Sequence, residues 1–400
     1  MKILLVHNSH RSGSASGDDG VFKREGALLE NHGHQVIRYN PSNDGFYESG
    51  PIGKLYTALQ FPWSLSAARH IRDLARKEKP NLAHVHNFFP LISPSIYHTL
   101  NAEGIPVVQT LHDFRFLCAM AFFMRDGIIC EKCKKGSVFR GVWHGCFKES
   151  RIGTIPVALM LKLHQYLDTF RKRIDAYVCL TKSQRKIFSE AGFDENKLFV
   201  KPNYVEDISG GNETIKGDYA VFIGRLGEEK GVKTLIEAWR SLKEVPLKVI
   251  GDGPDGDKSK KMVHDFGIKN IEFLGFRPHS YCMSLLDGAR FLVMPSIWYE
   301  TFGLTIIEAF SHEKPVITSN LGAMADLVAD HKTGLLLKPG NPDDLRDMVR
   351  LLWENPGECI RMGKNARREY EEKYTPEKNF EMLMAIYKWV IERKGGTGAA

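Results

Sequence analysis

No apolar run in this 400-residue chain approaches the roughly 18 residues that suggest a membrane-spanning helix. Nothing in it recurs at a period of roughly 20–50 residues, which excludes solenoids and propellers. Low-complexity sequence is missing until residues 395–400, Gly-Gly-Thr-Gly-Ala-Ala, which read as a loose tail. The opening Met1-Lys2-Ile3-Leu4-Leu5-Val6 is one basic residue and then a strand-like run. It lacks the longer apolar stretch and small-residue cleavage site of a signal peptide, so the expected location is cytoplasmic. The cysteines number seven, an odd count, and five of them (Cys118, Cys130, Cys133, Cys146, Cys179) lie in the first half. In a reducing compartment such clustering points to metal before disulfides.

What is present is a globular composition, 43% hydrophobic and 26% charged. At roughly 150 residues per domain it suggests two or three domains. Charge is uneven. Residues 1–205 hold 28 Lys and Arg against 18 Asp and Glu, a net of +10; the remainder holds 27 against 30, a net of −3. A basic first half suits an anionic partner (nucleic acid, anionic lipid or a phosphorylated small molecule), or it is a solvated surface with no partner.

Short apolar runs alternate with amphipathic stretches. Residues 3–6, 35–39, 82–86, 107–111 and 176–180 read as strands, with helices at 21–32, 66–79 and 182–191. The series restarts with strands at 219–223, 247–250, 271–274, 291–294 and 315–319 and helices between them. This alternation predicts an α/β protein of two Rossmann-like, doubly wound domains with parallel sheets. The division falls near 202–211, where Asp207, Ser209, Gly210, Gly211 and Asn212 have linker composition. The expected ligand site is a central cleft that the carboxyl ends of both sheets face. The domains run over 1–205, with a cysteine-rich insertion at about 114–150, and over 206–375. Residues 376–394 follow as a last helix.

Between Pro295 and Gly322 lies the densest chemistry: Glu300-Thr301-Phe302-Gly303-Leu304, then Glu308, then Lys314-Pro315. It starts at a strand's carboxyl end and enters a helix near Leu304 or Thr305, whose unpaired backbone N–H groups suit a diphosphate. Two carboxylates so placed can accept hydroxyl hydrogen bonds on both sides of a phosphate. Glu-x7-Glu alone is a weak pattern, since any helix carries glutamates. Its company is more specific. Gly224-Arg225-Leu226 closes the first strand of the domain, Lys230-Gly231 follows, and Gly251-Asp252-Gly253-Pro254 closes the next strand. An arginine fork and a lysine point charge together suit a diphosphate.

Gly-Arg-Leu-x3-Lys-Gly, Gly-Asp-Gly-Pro, Phe273-Leu274-Gly275 and Pro-Ser-x3-Glu-Thr-Phe-Gly-Leu-x3-Glu-Ala together resemble glycosyltransferase family 4, retaining enzymes of the GT-B architecture. The likeness covers the second domain nearly end to end. It implies Arg225 and Lys230 on the donor diphosphate, Glu308 on the ribose, and Glu300 with the Thr301–Leu304 backbone around the donor sugar. It also implies donor contacts at Gly20, Gly224 and Gly251, a histidine at His112 touching the transferred sugar, and a last helix crossing back onto the first domain. The sequence departs from the family at Glu313, where glycine is common. The donor is then a nucleotide-sugar on UDP, GDP or ADP, and the acceptor a hydroxyl of a glycan or lipid-linked molecule, with cell-surface polysaccharide assembly as the setting. No covalent nucleophile stands out, and an Mg²⁺-binding Asp-x-Asp run is missing from the expected places. Front-side displacement with no cofactor required for catalysis is therefore the expected chemistry.

In the first half, the loop after the first strand, residues 8–21, is rich in glycine and serine, and Gly20 is expected to precede a helix aimed at the cleft. His112-Asp113 ends a strand; His84 and His86 read as structural. Cys118-x11-Cys130-x2-Cys133-x12-Cys146 can close a structural zinc site, with His144 as a substitute ligand, or remain four free thiols. Residues 152–174 form a helix that either packs in the core or docks on a membrane surface. Rival readings are a nucleotide-sugar epimerase of the same architecture and a basic zinc-containing nucleic-acid module. The second leaves half the chain unexplained and shows no nucleic-acid motif, so no nucleic-acid partner is expected.

Overall fold

The computed structural model describes residues 1–10, 17–207 and 217–396, with side chains to 394. Expectations for residues 11–16 of the first loop, for Ser209–Asn212 of the linker and for residues 397–400 lie outside the described residues. The chain divides into two units. Unit 1 takes Met1–Phe123, Cys130–Lys201 and Phe380–Ala400; unit 2 takes Met124–Ile129 and Pro202–Asn379.

Unit 1 is built on a six-stranded sheet of β1 (Lys2–His7), β2 (Gln35–Tyr39), β3 (Leu82–Asn87), β4 (Val107–Thr110), β5 (Ala176–Cys179) and β6 (Leu198–Val200). Their order is β2-β1-β3-β4-β5-β6, all parallel. The central strands read as unbroken apolar runs because helices cover both faces, and β4 and β5 are buried along their whole length. Helix α1 (Gly17–Asn31) buries Val21, Phe22, Leu28 and Leu29 and stops before Gly33, whose φ of +78° suits only glycine without strain. Helices α2 (Pro51–Gln60) and α3 (Arg151–Tyr166) follow along the chain. The helix expected over 152–174 is therefore shorter, broken at Asp168, which takes the left-handed φ of +51°. The last helix, Pro376–Gly396, sets Leu383, Ile386, Tyr387 and Val390 at helical spacing into the same core as Ile3, Leu5, Val108 and Val178.

The insertion contains a small antiparallel hairpin, Met124–Arg125 with Ile128–Ile129. Asp126 and Gly127, both with positive φ, make its turn, the usual chemistry of a two-residue loop. The hairpin groups with unit 2, so the stretch read as one insertion at about 114–150 is divided between the units.

Unit 2 has its own parallel sheet of β7 (Ala220–Ile223), β8 (Leu247–Ile250), β9 (Ile271–Gly275), β10 (Phe291–Met294), β11 (Val316–Ser319) and β12 (Gly334–Leu337). The order is β9-β8-β7-β10-β11-β12. Helix α4 (Leu304–Ser311) follows β10. Trp239, Phe222, Val249, Val293, Leu335 and Val349 share one core. Both units are thus Rossmann-like and doubly wound. Strand order reverses between β1 and β3 in unit 1 and between β7 and β10 in unit 2. At such a reversal the connections leave in opposite directions and open a crevice at the carboxyl ends.

Candidate functional sites

In unit 2 the crevice between β7 and β10 gathers most of the predicted donor residues. Gly224 and Arg225 leave β7, and the turn Glu228–Lys230 carries Lys230 to Gly231. A Cβ on Gly231 (φ +70°) would lie 2.0 Å from the Pro295 carbonyl oxygen, and one on Gly251 (φ +136°) 1.9 Å from that of Gly224. These glycines let neighbouring strand ends close on one another. Lys230 then reaches across, its Nζ 2.6 Å from Glu300 Oε1, while the Ser296 hydroxyl donates to the same oxygen at 2.8 Å. Burial alone would raise the Glu300 carboxyl, but the Lys230 ammonium and these hydrogen bonds hold it below its ordinary value. Lys230 also lies 5.3 Å from the centre of the Trp298 ring.

Arg225 is not on Glu300. Its Nε and Nη2 donate to Glu229 Oε1 at 3.0 and 2.5 Å, and its side chain is more than half exposed. Glu308, inside α4, pairs with His279 at 2.8 Å. The two family glutamates therefore have separate partners. Thr301, Phe302 and Gly303 form the approach to α4; Phe302 is buried near Tyr374, and Gly303 takes φ +110° just before Leu304. Sequence reasoning missed Ser296, four residues before Glu300 in the same loop, and His279. The signal for Ser296 was its place in the Pro-Ser-x3-Glu run; His279 had none.

In unit 1 the crevice between β1 and β3 is lined by imidazoles and carboxylates. His112, half-buried just beyond β4, has its Nε2 2.9 Å from His86 Nδ1. His86 Nε2 in turn lies 3.0 Å from Glu25 Oε1, and Glu25 Oε2 pairs with Lys201 at 3.0 Å. His84 Nδ1 approaches the same Glu25 oxygen at 3.0 Å and the Tyr387 hydroxyl at 2.7 Å, and its Nε2 meets the Thr110 hydroxyl at 2.7 Å. Glu25, His84, His86 and Lys201 are all buried. Burial would raise the Glu25 carboxyl, yet Lys201 and then the two imidazoles hold it well below the usual range.

This order fixes the protons. An ionised Glu25 only accepts, so His86 donates its Nε2–H, keeps Nδ1 bare, and accepts the Nε2–H of His112. Burial, more than the neighbouring His84, keeps His86 neutral. Burial also pushes His112 down to about 4, against the pull of Asp18. His112 is thus a neutral imidazole whose Nδ1 carries a lone pair. His86, read from sequence as structural, is its hydrogen-bond partner. Sequence offered one clue: residues two apart on a strand share a face, as His84 and His86 do.

Gly20 does not precede the helix. It lies inside α1, which starts at Gly17, and the first turn carries Asp18 and Asp19. Those carboxylates themselves complement the helix's positive end. Asp19 meets His7 Nε2 at 2.6 Å and the His10 backbone N–H at 3.2 Å. An anion contact at Gly20 therefore has no support in this geometry.

Burial, then the Cys118, Cys146 and Cys130 thiols, push Cys133 up to about 11. Mutual destabilisation of neighbouring thiolates is what a divalent cation relieves. Among the described residues, sets of ligand atoms within 4.8 Å of one another are Glu25/His84/His86 and His10/Asp18/Asp19, and the cysteines are in neither.

Two family matches divide the chain: Glycosyltransferase Family 4 over residues 24–207 and Glycosyl transferases group 1 over residues 197–369. An uncharacterised glycosyltransferase of Methanocaldococcus jannaschii is 30% identical over 97% of this chain and 98% of its own length. Among solved structures, sucrose-phosphate synthase from Thermosynechococcus elongatus superposes with a TM-score of 0.72 at 17% identity, over 98% of this chain and 99% of that one. The Anabaena protein HepE, in complex with UDP and glucose, gives 0.64 at 16% identity, over 96% and 98%.

Proposed function

We propose a retaining sugar transfer for this chain, which belongs to glycosyltransferase family 4 and is a transferase of GT-B fold. The donor is a nucleoside-diphosphate sugar, the acceptor a hydroxyl of a glycan or lipid-linked molecule, and the setting cell-surface polysaccharide assembly. The observation that carries this reading is the Lys230–Glu300–Ser296 cluster at the β7/β10 crevice. Lys230 spends one of its three N–H donors on Glu300, and Arg225 meets a single carboxylate oxygen, so both keep donors for a diphosphate. Glu300, ionised and fixed from two sides, accepts from sugar hydroxyls, and Glu308 with His279 suits a ribose. HepE, a fold relative, binds UDP and glucose, which supports a nucleotide-sugar donor here.

In the transfer, the bond from the anomeric carbon to the diphosphate oxygen breaks as the acceptor oxygen bonds to the same face. The acceptor proton passes to the departing diphosphate. Arg225 and Lys230 stabilise the charge that develops there. In unit 1, the bare Nδ1 of His112 can accept a hydrogen bond from a hydroxyl. The four cysteines do not form a set of ligand atoms within 4.8 Å of one another here, and metal analysis of the purified protein and of a Cys130→Ser/Cys133→Ser variant tests whether they take up a structural zinc or remain free thiols.

Thermal-shift measurements with UDP, GDP, ADP and their common sugars, on wild type and Glu308→Ala, test the donor site. One nucleotude class should raise the melting temperature, and the variant should lose the shift. The anomeric proton coupling in the product reports retention, and conversion of the donor without any acceptor would point to an epimerase instead.

A further inference from the structure

Helix α2 has the sequence of a core helix and no core. None of its residues is buried. Ile52, Leu55, Tyr56 and Leu59, at positions i, i+3, i+4 and i+7, are 85%, 62%, 67% and 70% exposed. A helix normally turns such a stripe inward; here it faces solvent. Helix α3 packs against α2 and repeats the arrangement. It buries Val157, Ala158, Leu161 and His164, with His164 Nε2 2.8 Å from the Pro62 carbonyl, and leaves Ile152, Ile155, Leu159 and Tyr166 exposed.

Cations flank this apolar surface. Lys54 is exposed on α2 and Lys162 on the exposed stripe of α3. Lys148 lies 5.0 Å over each of the Phe46 and Tyr47 rings; burial, then the nearby Lys54 charge, lowers its ammonium. Arg151 sits 5.7 Å over the exposed Trp143 ring. Residues 44–60 and 139–167 together hold five Lys and Arg (Lys54, Arg140, Lys148, Arg151, Lys162) against three carboxylates (Asp44, Glu48, Glu149), a net of +2.

We propose that this face docks on an anionic lipid bilayer, with α2 lying in the headgroup plane. The α2 stripe enters the acyl boundary, the rings of Tyr56, Trp143 and Tyr166 stand at the interface, and Lys54, Lys148, Arg151 and Lys162 meet lipid phosphates. Charge decides against a second copy of the chain. A two-fold contact through this patch would set its cations against themselves, whereas a bilayer supplies the opposite sign. The proposal deepens the reading of a lipid-linked acceptor and rests on it for its biological sense. Its physical basis, an apolar stripe with basic flanks, is independent of the donor site.

The test is co-sedimentation of the full chain with vesicles, without donor or acceptor. Phosphatidylcholine containing phosphatidylglycerol should carry the protein down, phosphatidylcholine alone should do so weakly, and added salt should weaken the first. Ile52→Gln/Leu55→Gln/Leu59→Gln keeps good helix formers and an unchanged melting temperature, and should lose about tenfold or more in partitioning. Lys54→Glu/Lys148→Glu should lose the preference for anionic vesicles. Wild-type protein left in the supernatant, or a triple variant that sediments like wild type, overturns the proposal. So does a dimer in light scattering that the triple variant dissociates. Vesicle binding without any sugar transfer would sink only the transferase reading.

Discussion

The two crevices sit at equivalent places, the carboxyl ends of parallel strands where strand order reverses, yet they handle charge in opposite ways. In unit 1 the ionic groups are sealed inside: Glu25 and Lys201 form a buried pair, and neutral imidazoles carry its influence outward to a half-buried His112. In unit 2 Glu300 is buried as well, but its partner Lys230 is partly exposed and Arg225 more than half exposed, so both cations retain donors for a ligand. A buried pair costs desolvation and is costly to break, so it fixes geometry; an accessible pair binds. The first crevice is therefore built to hold one group in one protonation state, and the second to meet charge that comes and goes.

That contrast predicts where lesions register. The largest effect belongs to Glu25→Gln, which removes the buried carboxylate paired with Lys201 and should cost about 3–5 kcal/mol in chemical denaturation. Glu25→Gln/Lys201→Met should recover most of it, and a single variant as stable as wild type would erase the distinction between the crevices. The pH dependence has the same sign. Glu25 ionises below its ordinary 4.5 in the folded protein, so its contribution is present above that value and lost on further acidification. His112 takes its proton at about 4 when folded against 6.5 unfolded, so stability should already decline as pH falls from 6.5 towards 4. Lys230→Ala comes next: a smaller loss in unfolding than Glu25→Gln, because Lys230 is partly exposed and Ser296 still donates to Glu300, but transfer reduced about a hundredfold in steady-state assays. The smallest effect should follow His86→Leu, which removes the acceptor for His112 Nε2–H. Imidazole ¹⁵N shifts should show the wild-type Nε2–H tautomer giving way to a mixture. The rate constant kcat should fall about tenfold with KM little changed, less than the roughly hundredfold that a positioned proton donor or acceptor itself supplies.

Legibility in the sequence follows the same division. The unit 2 site was readable because its parts are local: Arg225 and Lys230 lie in one βα connection, and Glu300 to Glu308 in another. The unit 1 network joins residues 25, 84, 86, 112, 201 and 387, and no spacing in the chain announces that Lys201 will meet Glu25. The alternation of strands and helices revealed two doubly wound domains, because buried parallel strands are unbroken apolar runs. The strands Leu198–Val200 and Gly334–Leu337 were not read: the first has three residues, and the second opens on a glycine, which weakens a strand signal. Helix α2 escaped notice because an amphipathic stripe is informative only once it is seen to face outward.

The last helix also bears on how the chain is made. Tyr387 closes the His84 end of the network, and Leu383, Ile386 and Val390 fill the core around β1. During synthesis those residues leave the ribosome after all of unit 2, which has its own core and can fold while translation continues. The first-made strands must wait, with apolar surface uncovered, for a segment more than three hundred residues downstream; β1 ends at His7 and the segment starts at Phe380. That interval is when chaperones have most to do.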